Sequence, residues 1–532
     1  MTTTAWLESS LRRVYPTSPA GDATSLTLCA ARNDRASFQV CVRNGSTSAV
    51  RAEVAVEPGC EGLAAVVRRV GMVAMAHLNT DTPADECEGI GHVPGLAPDP
   101  LYPEASTLVG PREAAAFWVS LSTGRGMDPG AHELVVRVSL EGRPPAEMRV
   151  TLLVGEPVID LRKPFWVTHW FYADALCDWY GVEPFSEAFW PICRRYMADH
   201  ASHGGSSQYV PIFTPPTDGV KRPTQLLRVS EPKRGRYEFD FSDVDRWVST
   251  ARKAGAGYFE WTHLFSQWGV KHALRVYRDN ADPASLLWPA STGAVSPVYR
   301  RFLAQFLPRF HAFLSERKLL DVSLFHVSDE PGLDHLENYR SARAMLHDLA
   351  PWLRSSDALS NLEFGKLGLV DIPIPSISES HAFADAGIPA WAYFCCGPRG
   401  RYVNRLMDTP LAKIRSIGWL LHRFQAGGFL HWGYNYWYRS QSRQLIDPFT
   451  DQAGGAWPGW PNGDPFVVYP GPQGPLDSIR WEAFADGLRD QALLRTLGLA
   501  ADDALLAPLQ GYDRFPRDAA WLLTAKRRLL GL

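Results

Sequence analysis

The residues best suited to chemistry stand together in Leu324-Phe325-His326-Val327-Ser328-Asp329-Glu330-Pro331, an apolar run that ends in two adjacent carboxylates stopped by proline. Successive strand residues point to opposite sides, so Asp329 and Glu330 share a direction only if the strand bends, and their roles should differ. Pro331 is expected to hold Glu330 in an extended conformation. Paired carboxylates suit glycoside hydrolysis. In its common forms a carboxylic acid protonates the leaving oxygen while a second carboxylate, ~5 to 9.5 Å away, acts as nucleophile or base. An adjacent pair fits a third arrangement, in which a sugar's 2-acetamido carbonyl attacks its own anomeric carbon. The protein then supplies an acid, Glu330, and a carboxylate that orients the amide, Asp329. Such an acid must keep its proton near neutral pH, which the neighbouring charge and a partly dry aromatic wall would favour. Without chemistry, Asp-Glu-Pro is a strand-to-helix turn whose acids favour the helix expected from Leu333.

These residues need a frame to aim them. After Asp160 short apolar segments alternate with amphipathic helical ones, the pattern of βα units. Eight strands are expected, at 165–170, 207–213, 258–265, 324–329, 358–363, 376–380, 390–395 and 428–434, with helices at 185–202, 242–254, 297–317, 333–349, 410–425 and 479–497. Eight alternations predict a (β/α)8 TIM barrel over 158–532, whose chemistry belongs at the C-terminal strand ends. Those ends carry Thr168, His169 and Trp170; Glu260, Trp261 and His263; His326, Asp329 and Glu330; Glu379 and His381; Trp391 and Tyr393; and His431-Trp432-Gly433-Tyr434-Asn435-Tyr436-Trp437. Residues 1–157 instead show short runs at 37–42, 52–56, 115–121, 132–140 and 147–154, predicting an antiparallel β-sandwich. The proline-rich stretch 91–103 is expected to lie extended on the surface, towards the next domain.

Composition narrows the partners. Of 532 residues, 45% are hydrophobic and 21% charged, enough to bury a large core. Lysine plus arginine total 54 against 57 acidic residues, a net charge of −3 that offers no basic stripe to nucleic acid. Nineteen tryptophans, 18 tyrosines and 25 phenylalanines supply flat faces that suit sugar rings. No segment approaches the ~20 apolar residues of a membrane span, and the first residues lack the basic and apolar regions of a secretory signal. The eight cysteines show no C-x-x-C spacing and read as free thiols, so the cytoplasm is the expected compartment. His263, His326, His431, Asp329 and Glu330 offer metal-ligand chemistry but no H-E-x-x-H spacing, and neither metal nor cofactor is expected.

His326-Val327-Ser328-Asp329-Glu330-Pro331 resembles the His-Ile-Ser-Asp-Glu-Pro motif of glycoside hydrolase family 123. Residues 258–269, 391–396, 428–435 and 463–471 are similar to further segments of that family, and 33–39 to its accompanying sandwich domain. The resemblance implies an N-terminal β-sandwich, a (β/α)8 catalytic domain and a retaining, substrate-assisted β-N-acetylgalactosaminidase, with Asp329 as the amide-stabilising carboxylate and Glu330 as the acid/base. Segments 435–439 and 456–460 are more aromatic than the family pattern, a departure expected to alter the leaving-group side of the pocket.

Trp391, Trp432 and Tyr434 are candidates for aromatic walls around the sugar. Tyr393, by analogy with other substrate-assisted sites, is the candidate donor to the acetamido carbonyl. Asn404, Asn435 and Asp464 are candidates for sugar hydroxyls, and His263 and Tyr469 for further contacts. Two other readings stay open: a glycosidase of different sugar specificity, with Asp329, Glu260 or Glu379 as a conventional nucleophile, and a non-catalytic carbohydrate-binding protein.

Overall fold

The computed structural model describes residues 3–77, 81–88, 95–161, 165–215 and 222–532. Among the described residues ten strands form the N-terminal part: β1 (Thr4–Ser9), β2 (Ser25–Arg32), β3 (Arg35–Arg43), β4 (Val50–Glu57), β5 (Leu63–Met75), β6 (Gly95–Tyr102), β7 (Ser106–Val109), β8 (Ala114–Thr123), β9 (Gly130–Leu140) and β10 (Ala146–Val158). They make two five-stranded sheets, ordered β1-β3-β8-β5-β6 and β2-β10-β9-β4-β7. The expected antiparallel pairing holds except that β2 runs parallel to β10. Phe38, Val40, Phe117 and Val119 of one sheet bury against Val54, Leu134, Val136 and Val150 of the other. The opposite face of the first sheet, with Cys41, Ala116 and Trp118, packs into the larger C-terminal core. Because that sheet is covered on both sides, β3 and β8 lack the polar alternation of a half-exposed strand.

The stretch expected as a surface loop is different. Residues 91–94 lie outside the described part, but Gly95 onward is β6, an edge strand with a buried middle. Its prolines are tolerated because an edge strand leaves one side of its ladder unpaired. Asp99 from this strand meets Arg480 at 2.9 Å, and both side chains are fully buried.

In the C-terminal part β11 (Trp166–His169), β12 (Ser207–Val210), β15 (Tyr258–Trp261), β16 (Ser323–Phe325), β19 (Ala392–Tyr393) and β20 (Gly428–His431) form a parallel sheet in the order β16-β15-β12-β11-β20-β19. A parallel pair, β17 (Ser356–Ala358) and β18 (Ile372–Ile374), meets the edges of this sheet through single bridges, Phe325 to Ser355 and Ser376 to Tyr393. Two hairpins are added, β13 (Arg228–Lys233) with β14 (Arg236–Asp240), and β21 (Tyr469–Gly471) with β22 (Gly474–Leu476). The fifth and sixth strands thus lie earlier than expected. Asn361 caps a helix by accepting from the Glu363 N–H at 3.0 Å, which ends the extended segment.

Helices α1 (Ala173–Tyr180), α2 (Phe189–Ser202), α3 (Ser242–Ala254), α4 (Pro297–Glu316), α5 (Leu336–Leu349), α6 (Leu362–Lys366), α7 (Ser380–Asp385), α8 (Leu411–Arg415), α9 (Ile417–Arg423), α10 (Ile479–Thr496) and α11 (Ala519–Leu529) complete the chain. The helix expected at 410–425 is split into α8 and α9. On α9, a Cβ at Gly418 would stand 1.7 Å from the Gly487 carbonyl oxygen, so α9 touches α10 backbone to backbone. Helix α10 is buried on every side from Ile479 to Leu494 despite its charges. Several of those charges are paired: Glu482 with Arg68 at 2.6 Å and Arg35 at 2.9 Å, and Asp490 with Arg415 at 2.7 Å and Lys526 at 3.1 Å. Arg35 and Arg68 come from the N-terminal sheet, so α10 joins the two parts. Among the described residues no helix is long and apolar enough to cross a membrane.

Candidate active site

All parallel strands point their C-terminal ends to one face, where loops form a cleft of about 120 Å³ lined by Trp170, Gln267, Trp268, Asp329, Glu330, Tyr393, Trp432, Trp460 and Asp464 among others. Strand β16 stops at Phe325, and the next residues are held from both sides. His326 and Val327 carbonyls accept from Leu264 and Phe265 N–H groups at 3.0 and 3.1 Å, and Glu330 N–H donates to the Ala358 carbonyl at 2.9 Å. Glu330 is not extended, as its neighbour Pro331 led one to expect. Its φ is 43°, in the left-handed region that non-glycine residues occupy at a cost. This turn brings two consecutive carboxylates into one cleft, which an unbroken strand forbids.

The two carboxylates differ in surroundings. Asp329 is 6% exposed and Glu330 is exposed. Gln267 Nε2 donates to Asp329 Oδ2 at 3.2 Å, and the Trp268 N–H donates to the Asp329 carbonyl at 2.9 Å. Tyr393 donates its hydroxyl to Glu330 Oε1 at 2.6 Å, and burial, then the Glu330 charge, push that phenol well above its ordinary pKa. It stays a donor at any physiological pH.

Beneath them lies a buried relay. His326 contacts Glu260 Oε1 through Nε2 at 2.5 Å and Asp357 Oδ1 through Nδ1 at 3.2 Å. Burial alone would strip this imidazole of its proton, but the two carboxylates prevail and raise it to about 10. Asp357 also accepts from the Val327 and Ser328 N–H groups at 3.0 and 3.3 Å, which sets the backbone just before Asp329. Glu260 further accepts from Thr168 and, at 2.9 Å, from Trp170 Nε1.

On the opposite wall Trp432 donates from Nε1 to Asp464 Oδ2 at 2.9 Å and packs against Trp460 with ring centroids 4.9 Å apart. Asp464 Oδ1 is 3.5 Å from His431 Nε2, and this imidazole is held to about 4 by burial and by Arg405. Cys395 and Cys396 also line the cleft, with sulfurs 3.7 Å apart.

The model of the glycoside hydrolase 123 catalytic domain matches residues 170–497. The chain belongs to glycoside hydrolase family 123. It is a glycoside hydrolase, and the reading as a non-catalytic binding protein is set aside. In three dimensions it is similar to a family 123 glycoside hydrolase from Clostridium perfringens, studied for the details of glycolipid glycan hydrolysis. The TM-score is 0.77 at 14% identity, covering 100% of this chain and 98% of that one. A Bacteroides ovatus GH5 xyloglucanase matches at TM-score 0.30 and 11% identity over 88% of this chain and 99% of that one. A GH2 beta-galacturonidase from Eisenbergiella tayi matches at 0.33 and 11% over 92% and 73%. No curated protein matches the sequence.

Of the residues expected at the site from the sequence, Asp329, Glu330, Tyr393, Trp432 and Asp464 stand in the cleft. Six do not. Trp391 precedes β19 and packs beside Trp166 at the start of β11, with centroids 5.7 Å apart, at the opposite end of the sheet. Tyr434 is fully buried and donates to Asp199 Oδ2 at 2.6 Å. Asn435 spends its amide on the N–H and carbonyl of Tyr172, at 2.9 and 3.0 Å. Asn404 donates to the carbonyls of Cys395 and Pro398, both at 3.0 Å. Tyr469 donates to Asp99 at 2.6 Å, away from the cleft. His263 lies under the floor, stacked on His326 at 4.4 Å.

As for the alternative nucleophiles, Glu260 is 2% exposed and engaged with Thr168, Trp170 and His326. Glu379 stands exposed at the start of α7. Gln267, Trp268 and Asp357 carry no signal of their type or spacing that would have singled them out. The extra aromatic content of 456–460 did mark Trp460.

Proposed function

We propose that this glycoside hydrolase is a retaining exo-enzyme that removes terminal β-linked N-acetylgalactosamine by substrate-assisted catalysis. The observation that carries the reading is the left-handed turn at Glu330, which sets two consecutive carboxylates on one cleft with different partners. Glu330, reachable from solvent, gives its proton to the glycosidic oxygen as the bond from C1 breaks and the acetamido oxygen bonds to C1. Asp329, buried and held by Gln267, orients the amide N–H and balances the charge of the cyclic intermediate. Glu330 then takes a proton from water as that water attacks C1, which restores the acid and the β-configuration. Trp432 and Trp460 present rings to the sugar, and Asp464 accepts from its hydroxyls.

The same reading takes the eight parallel strands as a (β/α)8 barrel, the N-terminal sheets as a β-sandwich, and the division at 157/158. The Clostridium perfringens enzyme's link to glycolipid glycans makes these a substrate class to try. Eight free thiols agree with a cytoplasmic setting.

A panel of 4-nitrophenyl β-glycosides tests the proposal. Turnover of the N-acetylgalactosaminide, little of the N-acetylglucosaminide, none of the plain galactoside, and inhibition by an N-acetylgalactosamine thiazoline are expected. A fluorosugar adduct on a carboxylate, or equal turnover without the acetamido group, would overturn it.

A further inference from the structure

Trp268 does not end the cleft. On its other side lies a second cavity of about 240 Å³, which shares Gln267 and Trp268 as walls and adds Thr214, His272, Arg275 and Tyr277. Trp268 is 43% exposed. Its φ is 56° and that of Val270 is 50°, so two non-glycine residues hold left-handed backbone in one short loop. The Trp268 N–H is tied to the Asp329 carbonyl at 2.9 Å, so the indole is set by the same segment that presents the carboxylates.

Charge distinguishes this second cavity. Arginines close in sequence to its walls are already engaged: Arg222 with Asp178 at 2.8 Å, Arg228 with Asp243 at 2.8 Å, and Arg278 with Glu231 at 2.8 Å. Arg275 is exposed and has no hydrogen bond or ion pair among the described residues. Lys271 and His272, also exposed, stand on the same loop. A planar guanidinium with free donors matches a carboxylate or sulfate oxygen pair, and an indole beside it offers a stacking face to a pyranose.

We propose that this cavity receives the sugar on the reducing side of the scissile bond and that Arg275 selects one bearing a carboxylate or a sulfate ester. This rests on the hydrolytic reading above. Three substrates separate the possibilities: β-N-acetylgalactosamine linked to a neutral galactose, the same disaccharide with a sulfated reducing sugar, and one with a uronic acid in that place. The expected result is a kcat/KM for an anionic disaccharide about tenfold above the neutral one, the size of one charge-assisted contact. That ratio should fall towards one in Arg275→Ala and, for the intact protein, in 0.5 M salt at roughly the ionic strength that screens exposed charges. Which anionic arm is preferred identifies the group. Equal rates on all three disaccharides, or an unchanged ratio in Arg275→Ala, would overturn the inference. Failure of the hydrolytic reading appears separately, as absent turnover of the 4-nitrophenyl N-acetylgalactosaminide. Calorimetric titration with the uronic-acid disaccharide then decides the pocket, with binding weakened by Arg275→Ala expected and equal binding fatal to it.

Discussion

The Tyr393 hydroxyl donates to Glu330 Oε1 at 2.6 Å, a buried phenol steadying an exposed carboxyl across the cleft. Tyr393→Phe removes the donor and little volume. As Glu330 gives up its proton, a missing hydrogen bond to the carboxylate that forms costs about 1.5–3 kcal/mol, so kcat should fall by roughly ten- to a hundredfold. Unchanged kcat on the nitrophenyl substrate would show that the contact does not serve the reaction.

Asp329 and Glu330 should fail differently. Glu330→Gln is expected to cost about 10²–10⁴-fold on an ordinary aglycone, the usual worth of a general acid, and much less on a dinitrophenyl glycoside whose leaving group needs no proton. Asp329→Asn should lose activity on both, because the amide must be oriented whatever leaves. Rates for the two variants against both aglycones, compared as ratios, distinguish the roles.

Alkaline pH should loosen the fold. His326, between Glu260 and Asp357, and His203, with Asp199 at 3.0 Å and Glu482 at 3.4 Å, are both raised to about 10. A histidine whose folded pKa exceeds the unfolded ~6.5 contributes stability that is full below ~6.5 and is lost as pH rises towards its folded value. Tm is therefore expected to decline from neutrality to about pH 10, with a shallower slope in His326→Asn. Equal slopes in the two proteins would remove His326 from the account.

The Asp99–Arg480 pair is buried where β6 meets α10, at 2.9 Å. Asp99→Ala leaves a buried guanidinium uncompensated, which typically costs about 3–5 kcal/mol. Denaturant unfolding should show this loss, while KM of the protein that remains folded stays near its original value.

Trp391 and Trp432 are separated by the same logic. Trp391→Ala opens the far end of the sheet and should destabilise by about 3–5 kcal/mol, with little change in KM. Trp432→Ala should raise KM and leave Tm nearly intact, since Trp432 is only partly buried in the cleft. The opposite assignment of effects would place the sugar elsewhere.

Much of the frame was legible because its cause is local. Short apolar segments alternating with amphipathic helices follow from which residues prefer to face a core. The early position of the fifth strand was not, since a cap at Asn361 starts a helix and ends the extended segment there. Trp391, Tyr434 and Asn435 were expected at the sugar because they stand near the right strands. Where β19 begins and where β20 stops decide the end or face each side chain reaches, and neither is written in residue type.

The sequence alone determined that two carboxylates stand side by side at the end of an apolar strand, and that resemblance was enough to name the chemistry to look for. Only the tertiary structure decided that both can serve one cleft. Leu264, Phe265 and Ala358 hold the segment from either side, Asp357 fixes the backbone ahead of it, and these distant contacts sustain the left-handed turn at Glu330 that local preference opposes.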